Sequence, residues 1–408
     1  MKTILFIGTN KSGSSRDVII AAKRLGYYTV LFTNNEKQFQ QREEYPDVHQ
    51  MILIDTDNLL EMKQEIKRLR SKGMDIKTIV SFIDSYVYSA SLLCDEFCHN
   101  PFSSKAILLM NNKEETRQFL KDQPYTPVFK IIKPNEEISF EKLVPQFTFP
   151  VMVKSPNSTG SKDAMLAENA DQLKKHTLML RERDPKDSII VEEYIDGDQY
   201  LVEAVVFNKK VMIAGVIEQE VTKGKRFIIT GYGVMANVPN EIMKGIEEVL
   251  HSLVKQMGIV NGALHLELRR SKNGWKLIEA NPRISGGAMN KMIQAAFGYS
   301  LVEETLKLLL GGTPLIVPRY KKYVFTKYLI VDEKGILERV TGKGRARRSP
   351  GVIEVYVKPR KGTLLIPPLS MGHRYAYVIA SGQSMDEAKQ FARNAINEIK
   401  FHMKKVQD

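Results

Sequence analysis

The chain has 408 residues, which is enough for roughly two to four domains with cores of their own. Hydrophobic residues make up 43% and charged residues 26%, a composition that excludes a disordered chain, and no apolar run approaches the length of about 18 residues that a membrane span requires. The net charge of +13 leaves a nucleic-acid-binding protein open as a rival to an enzyme that binds an anion.

Residues 1–112 alternate short apolar strands with amphipathic helices, a pattern that indicates an open parallel α/β sheet. The apolar run at residues 4–7 is too short for the hydrophobic core of a signal peptide, so we expect a buried first strand and a cytoplasmic protein. The predicted strands are Thr3–Gly8, Tyr28–Thr33, Met51–Asp55 and Thr78–Ile83, and the predicted helices are Arg16–Leu25 and Leu59–Lys72.

Two features of this region leave alternatives open. The loop Gly8–Ser15 is rich in Gly and Ser but lacks the spacing of either common phosphate-binding fingerprint, so a substrate-side loop or a plain turn is favoured over a nucleotide site. Cys94 and Cys98 are four residues apart, which predicts one helical face. We interpret them as a structural thiol pair in a reducing compartment, with a metal or redox site as the alternative.

Two lysines stand at the ends of predicted elements, and a lysine at a helix start is usually just solvated. Asn112 is predicted to cap a helix that runs from Lys113 to Leu120. Further on, an apolar strand ends at Lys154 and leads into a loop that contains Ser158, Thr159, Gly160 and Ser161. Free N–H groups and hydroxyls in such a loop can wrap phosphate oxygens, although by itself the pattern fits a surface hairpin equally well.

A β-hairpin is predicted from Ala263–Arg269 and Trp275–Asn281, joined by the turn at residues 271–274. Alternation places His265 and Glu267 on one face of the first strand. It likewise aligns Glu279, Asn281 and Arg283 on the second, although Pro282 indicates that this strand is ending. Two carboxylates and an amide oxygen suit Mg²⁺, and a guanidinium suits developing negative charge, but the same pattern fits an ordinary exposed hairpin.

The remaining elements are predicted as follows. The segments Ile189–Ile195, Tyr200–Phe207 and Val211–Glu218 are strands, Ile242–Met257 is a core helix, and Ala288–Leu310 continues as helix. After residue 311 the strands are Val324–Val331, Val352–Val357 and Tyr375–Ala380, and a final helix spans Ser384–Met403. A dense basic cluster at residues 343–348 has no assigned role.

As an ordered set, these motifs resemble the ATP-grasp superfamily of carboxylate-amine ligases, and most closely the bacterial L-amino acid ligases that make dipeptides. The resemblance implies a mixed α/β and α+β multidomain chain. An N-terminal α/β domain would span residues 1–112, an ATP-grasp domain 113–310 with a lid subdomain at about 113–200, and a C-terminal β-rich domain 311–408.

The resemblance also implies roles for individual residues. Phosphates of ATP would be contacted by Lys113, Lys154, Ser158, Thr159, Gly160 and Ser161. A hinge that presents backbone atoms to adenine would be formed by Glu192, Glu193, Tyr194 and Ile195. The ribose contact would fall to Asp198 or Gln199, because Gln199 stands where the family commonly has glutamate.

The metal and the acid substrate complete the implied site. Mg²⁺ or Mn²⁺ would be bound by Glu267, Glu279 and Asn281, and the carboxylate and later oxyanion by Arg283, Gly286 and Gly287. His265 would either orient a substrate or support a neighbouring group.

The implied reaction joins a carboxylate to an amine through an acyl phosphate, with ADP and phosphate as products. Amino acids are the expected substrates, and a homodimer without nucleic-acid or membrane partners is the expected assembly. A biotin-carboxylase-like enzyme, a ligase of another metabolite carboxylate and a basic nucleic-acid-binding protein are the alternatives.

Overall fold

In a computed structural model that describes residues 1–156, 164–223 and 227–406, the strands form four sheets. The first is parallel, with strand order β3-β2-β1-β4, as the alternation of strands and helices predicted. Its elements are β1 Lys2–Ile7, α1 Ser14–Arg24, β2 Tyr28–Thr33, α2 Glu36–Gln40, β3 Gln50–Leu53, α3 Leu59–Ser71, β4 Asp75–Val80 and α4 Asp84–Phe97. Loops at the carboxyl ends of such strands are the usual ligand-facing edge of a parallel sheet.

Two short helices, α5 (Ser104–Asn111) and α6 (Lys113–Phe119), lead out of this region. The side chain of Asn112 accepts hydrogen bonds from the backbone N–H groups of Glu114 and Glu115, which confirms the predicted cap. The cap fixes Lys113 at the first position of α6.

The second sheet is small and antiparallel, with order β5-β8-β6-β7. Its elements are β5 Phe129–Ile132, α7 Phe140–Leu143, β6 Val151–Lys154, β7 Ala164–Ala167, α8 Ala170–Arg183 and β8 Ile189–Glu193. Val151 and Val153 point into its core while Lys154 ends the strand, so the predicted strand boundary is confirmed.

The central sheet has eight strands in the order β13-β12-β9-β10-β11-β14-β18-β16. The elements up to residue 309 are β9 Asp198–Phe207, β10 Lys210–Lys223, β11 Phe227–Val234, α9 Asn240–Gln256, β12 Gly262–Ser271, β13 Gly274–Asn281, α10 Met289–Phe297 and α11 Leu301–Leu309. Those that follow are β14 Tyr323–Leu329, β15 Gly335–Thr341, α12 Lys343–Arg348, β16 Val352–Val357, β17 Leu364–Leu365, β18 Ala376–Gly382, α13 Met385–Glu398 and β19 Lys400–Lys405. Helix α9 covers one face of the sheet and α10 and α11 the other.

Two predicted helices are wrong in extent. The segment Ala288–Leu310 is two helices, because Gly298 adopts a left-handed conformation and caps α10. The predicted final helix ends at Glu398, and residues 400–405 form β19, which pairs with β15 in a three-stranded sheet. Phe401 and Met403, two residues apart, both point toward the core of that sheet, as alternate residues of a strand do.

Candidate active site

The predicted hairpin forms, and its register brings the predicted metal ligands together. Glu267 of β12 lies opposite Glu279 of β13, and His265 lies opposite Asn281. Residues directly opposite each other on paired strands share one face of the sheet. Burial and the charge of Glu279 raise the pKa of Glu267, so the two carboxylates form a strained like-charge pair suited to a cation.

Strand β9 lies on the other side of β12 and adds Gln199 to this face. The Gln199 amide donates to Glu267 Oε2 at 2.9 Å, and its oxygen accepts from Arg269 Nε at 2.9 Å. Asp198 is exposed, and as the neighbouring strand residue it points to the opposite face. Of the two residues considered for a ribose contact, the structure therefore brings Gln199 to the carboxylates.

Both predicted lysines reach the same face. Lys113 Nζ lies 3.3 Å from Glu279 Oε1, and Lys154 forms an ion pair with Glu192. The positive charges of Lys154 and Lys113 each oppose the rise in the pKa of Glu267. The site thus combines two acids and two cations from four separate elements, β12, β13, α6 and β6.

The Glu192 side chain anchors one of those cations. It is 2% exposed, pairs with Lys154 and accepts from Arg117 Nε at 2.9 Å. Burial opposes its ionisation, but Arg117 and then Lys154 lower the pKa of Glu192 to about 2. Arg117 also donates to the Ile278 carbonyl at 2.7 Å, which ties the small sheet to β13.

The segment predicted as a hinge is tied to its surroundings through its backbone. The N–H groups of Glu193 and Tyr194 donate to the carbonyls of Val128 and Pro150, at 2.9 and 3.2 Å. The Ile195 carbonyl accepts from Arg269 Nη1 at 2.6 Å. Its contact with adenine stays a prediction. The predicted phosphate-loop residues Ser158, Thr159, Gly160 and Ser161 lie outside the described residues.

Arg283 is held by a partner from the N-terminal region that the sequence did not indicate. Its Nε and Nη2 donate to the two oxygens of Asp84, at 2.5 and 2.7 Å. Burial opposes ionisation, but Asp84 keeps the pKa of Arg283 above its ordinary value. The only available signal was positional, because Asp84 begins α4 just after the carboxyl end of β4.

His265 is buried and paired with Glu203, a second residue that sequence reasoning missed. The His265 Nδ1 to Glu203 Oε1 distance is 2.6 Å, and Glu203 Oε2 accepts from the Ser285 N–H at 3.0 Å. Burial opposes protonation of His265, but Glu203 raises its pKa overall. Glu203, itself fully buried, therefore connects the histidine to the loop that carries Gly286 and Gly287.

Gly286 and Gly287 are exposed, and Gly287 lies against Gly13 of the N-terminal loop Gly8–Ser15. A Cβ added to Gly13 would lie 2.8 Å from the Gly287 nitrogen, and both glycines have positive φ, +87° for Gly13 and +64° for Gly287. The loops can approach this closely only because residue 13 lacks a side chain, whereas a Cβ at Gly286 or Gly287 would meet no heavy atom within 4 Å. This packing agrees with the interpretation of Gly8–Ser15 as a substrate-side loop.

The donor set fits a hard divalent cation that keeps several waters or phosphate oxygens. Within residues 1–156, 164–223 and 227–406, no group of three or more His, Cys, Asp or Glu side chains is placed to hold a metal ion. Two carboxylates and the amide of Asn281 would make an open site of the kind Mg²⁺ tolerates, because it binds through few protein ligands.

Other predicted features lie away from this site. Cys94 and Cys98 are both free thiols in the N-terminal region, and Arg345 of the basic cluster pairs with Glu398 on the surface. Over the described ranges, no helix combines the length and apolarity that crossing a membrane demands.

Two family models match the chain, an ATP-grasp domain at residues 147–291 and an L-amino acid ligase C-terminal domain 2 at residues 327–404. The chain is 24% identical over 416 residues to the uncharacterized protein y4rH of Sinorhizobium fredii, and the match covers all of this chain and 84% of that protein. It is 22% identical over 334 residues to carnosine synthase 1 of Gallus gallus, covering 76% of this chain but only 35% of the synthase.

Solved structures with the same fold cover nearly the whole chain. The L-amino acid ligase of Bacillus licheniformis superposes with a TM-score of 0.83 at 19% identity, over 99% of both chains. Phosphoribosylglycinamide synthetase of Anaerococcus prevotii gives 0.75 at 17% identity, over 99% of this chain and 100% of that one. The biotin carboxylase domain of the Hydrogenobacter thermophilus 2-oxoglutarate carboxylase gives a TM-score of 0.71 at 16% identity, over 98% of this chain and 91% of that one.

Proposed function

Because this chain carries an ATP-grasp domain in an ATP-grasp fold, as its sequence predicted, we propose that it is an ATP-dependent ligase that joins an amino acid carboxylate to an amine. The match to the L-amino acid ligase C-terminal domain 2 supports amino acids as substrates. The observation that carries the proposal is the convergence of Glu267, Glu279, Lys113 and Lys154 on one sheet face beside Arg283.

The residues divide the work by charge. Lys113 and Lys154 would neutralise and align the phosphates of ATP, and Glu192 would hold Lys154 in place. Glu267, Glu279 and Asn281 would hold Mg²⁺ or Mn²⁺. The bound metal would supply charge neutralisation at the phosphate oxygens.

Arg283 and the N–H groups of Gly286 and Gly287 would receive the substrate carboxylate. In the first step the carboxylate oxygen attacks the terminal phosphorus of ATP, and ADP leaves. In the second step the amine nitrogen attacks the acyl carbon and loses its proton, and the carbon–oxygen bond breaks to release phosphate. The donors near Gly287 would stabilise the oxyanion of that second step.

The acid partner of Arg283 bears on carboxylate binding. Asp84 holds the guanidinium by two hydrogen bonds, so the fork is already oriented before substrate arrives. The third nitrogen, Nη1, donates to the Ile284 carbonyl at 3.1 Å, which fixes the plane of the group. An oriented cation loses less entropy on binding than a mobile one.

The second candidate function is an ATP-grasp ligase that uses another acid or another amine. The fold likeness to phosphoribosylglycinamide synthetase and to a biotin carboxylase domain supports this candidate. These two classes predict different requirements, a phosphoribosylamine in one case and bicarbonate with biotin in the other. The cytoplasmic location and the homodimer stay predictions.

The test is a phosphate-release screen with Mg·ATP and every pair of proteinogenic amino acids, without biotin and bicarbonate. The expected result is release that requires amino acids, with the corresponding dipeptide detected by mass spectrometry. Release that appears only with bicarbonate or with a phosphorylated sugar amine would instead support the second candidate function.

A further inference from the structure

Arg374 lies just before β18 in the C-terminal region, enclosed by aromatic rings. Its guanidinium carbon stacks 4.0 Å from the centroid of the Tyr328 ring and 5.5 Å from that of Tyr232. Its nitrogens donate to the Tyr232 hydroxyl at 3.2 Å, to the Ile229 carbonyl at 3.3 Å and to the Met371 carbonyl at 3.2 Å. All of these partners are neutral.

No Asp or Glu among the described residues forms an ion pair with Arg374. Lys291 of α10, on the same side of the sheet, does have an acid, since it pairs with Glu354. A guanidinium stays charged at every physiological pH, and a half-buried cation without a counter-ion is costly. Such a group is suited to an anionic ligand.

The face that carries Arg374 borders the proposed reaction centre. Tyr328 of β14 lies directly opposite Tyr377 of β18, and Tyr232 of β11 lies opposite the β14 residue two positions before Tyr328. The three tyrosines therefore share one face of the central sheet. The phenol of Tyr328 lies at the backbone of Ala288. Ala288 directly follows Gly287, so a single aromatic ring separates Arg374 from the glycine loop.

Two arginines therefore flank this loop in different electrostatic states. Arg283 is already paired with Asp84, whereas the described partners of Arg374 are two carbonyls and a phenol. Nε and Nη1 of Arg374 already donate to these partners, and among the described residues Nη2 has none, so a carboxylate would bind at Nη2. The surrounding aromatic rings strengthen such a charge-assisted hydrogen bond by excluding water. An amine substrate that also bears a carboxylate would find its counter-ion here.

We propose that Arg374 binds the carboxylate of the amine-donating substrate and thereby selects acceptors with a free carboxylate. This inference rests on the proposed function, and it adds a specificity-determining residue to it. The tyrosine rings of Tyr232 and Tyr328 hold the guanidinium plane, and Arg283 receives the other, activated carboxylate.

The test compares each proteinogenic amino acid with its primary amide as the acceptor, with peptide formation measured by mass spectrometry. The wild-type chain is expected to favour free acids over amides in kcat/KM by about 30-fold or more, because an unpaired buried charge is costly. In Arg374→Gln this ratio is expected to fall toward one. Arg374→Lys keeps the charge but loses the planar group that Tyr232 and Tyr328 hold, so it should show an intermediate ratio.

The matched control is Arg345→Gln, which removes an equal charge from a surface pair with Glu398 and should keep the wild-type ratio. Because the ratio is taken within each variant, a partial loss of folded protein does not change it, and circular dichroism checks the fold. A wild-type chain without preference, or Arg374→Gln and Arg374→Lys with undiminished preference, overturns the role of Arg374.

Trapping by hydroxylamine separates this failure from failure of the proposed function. Formation of an acyl hydroxamate by the wild-type chain with an amino acid and Mg·ATP supports activation of the carboxylate. Absence of hydroxamate with every amino acid overturns the proposed function and the inference with it. Hydroxamate formation without acid-over-amide preference overturns the role of Arg374 alone.

Discussion

Replacing Glu192 by glutamine tests the ion-pair network beneath the proposed phosphate site. The wild-type carboxylate is buried against Arg117 and Lys154, which hold its pKa at about 2 instead of the ordinary 4.5. At about 1.4 kcal/mol per pH unit, that difference corresponds to a stabilisation of about 3 kcal/mol at neutral pH. The variant leaves two cations facing a neutral amide, so we expect a loss of that size.

The effect depends on pH in a defined direction. The folded-state pKa of Glu192 lies below the unfolded value, so its stabilisation is fully present above about pH 4.5 and is lost as the pH falls toward about 2. The difference in unfolding free energy between the wild type and Glu192→Gln should therefore be greatest at pH 7 and shrink across this window.

Urea unfolding followed by circular dichroism at pH 7 and pH 3.5 measures this difference. The control is Glu193→Gln, because the neighbouring carboxylate is only half-buried and lies 3.7 Å from Lys276. We expect the control to change stability by less than about 1 kcal/mol. A Glu192→Gln chain within 1 kcal/mol of the wild type at pH 7, or a difference that grows on acidification, would refute the reasoning.

Three further changes probe the site. Glu203→Ala leaves a buried histidine and an N–H group without their acceptor, so it should destabilise the chain by about 2–4 kcal/mol in urea unfolding, and Glu203→Gln should lose less. Arg283→Lys loses the two-point contact with Asp84 and should lower kcat about 100-fold in the phosphate-release assay, with unchanged kcat contradicting its role. Gly13→Ala forces a Cβ to 2.8 Å from a backbone nitrogen and should raise KM for the acid substrate, whereas Gly26→Ala, equally left-handed at φ +82° but in open space, should not.

The sequence predicted those parts of the site that depend on local periodicity. The alternation of His265, Glu267, Glu279 and Asn281 is a property of two strands and one turn, so their common face followed directly from the residue pattern. Lys113 was likewise positioned by an adjacent asparagine cap. Local signals of this kind need no knowledge of the tertiary fold.

The partners that hold these residues could not be predicted in the same way. Asp84 and Arg283 are 199 residues apart in the chain, and Glu203 and His265 are 62 apart, so only the packing of separate elements brings them together. Which of Asp198 and Gln199 shares the face of the carboxylates also depended on the pairing of β9 with β12, because a shift of one residue exchanges the two faces.

The end of the chain shows the same limit. The predicted final helix runs from Ser384 through Met403. The structure ends that helix at Glu398, since β15 offers an unpaired edge with which residues 400–405 can pair. Tertiary pairing outweighs local propensity where a strand partner is available.

The central claim is that Glu267 and Glu279 hold a divalent cation against the phosphates of ATP. The most direct measurement is Mg²⁺-dependent ADP release with Mg·ATP and the best amino acid pair, by the wild type and by Glu279→Gln. The account predicts that the variant keeps its circular dichroism spectrum and loses release by about 1,000-fold or more. Near-normal ADP release by a folded Glu279→Gln chain would contradict it.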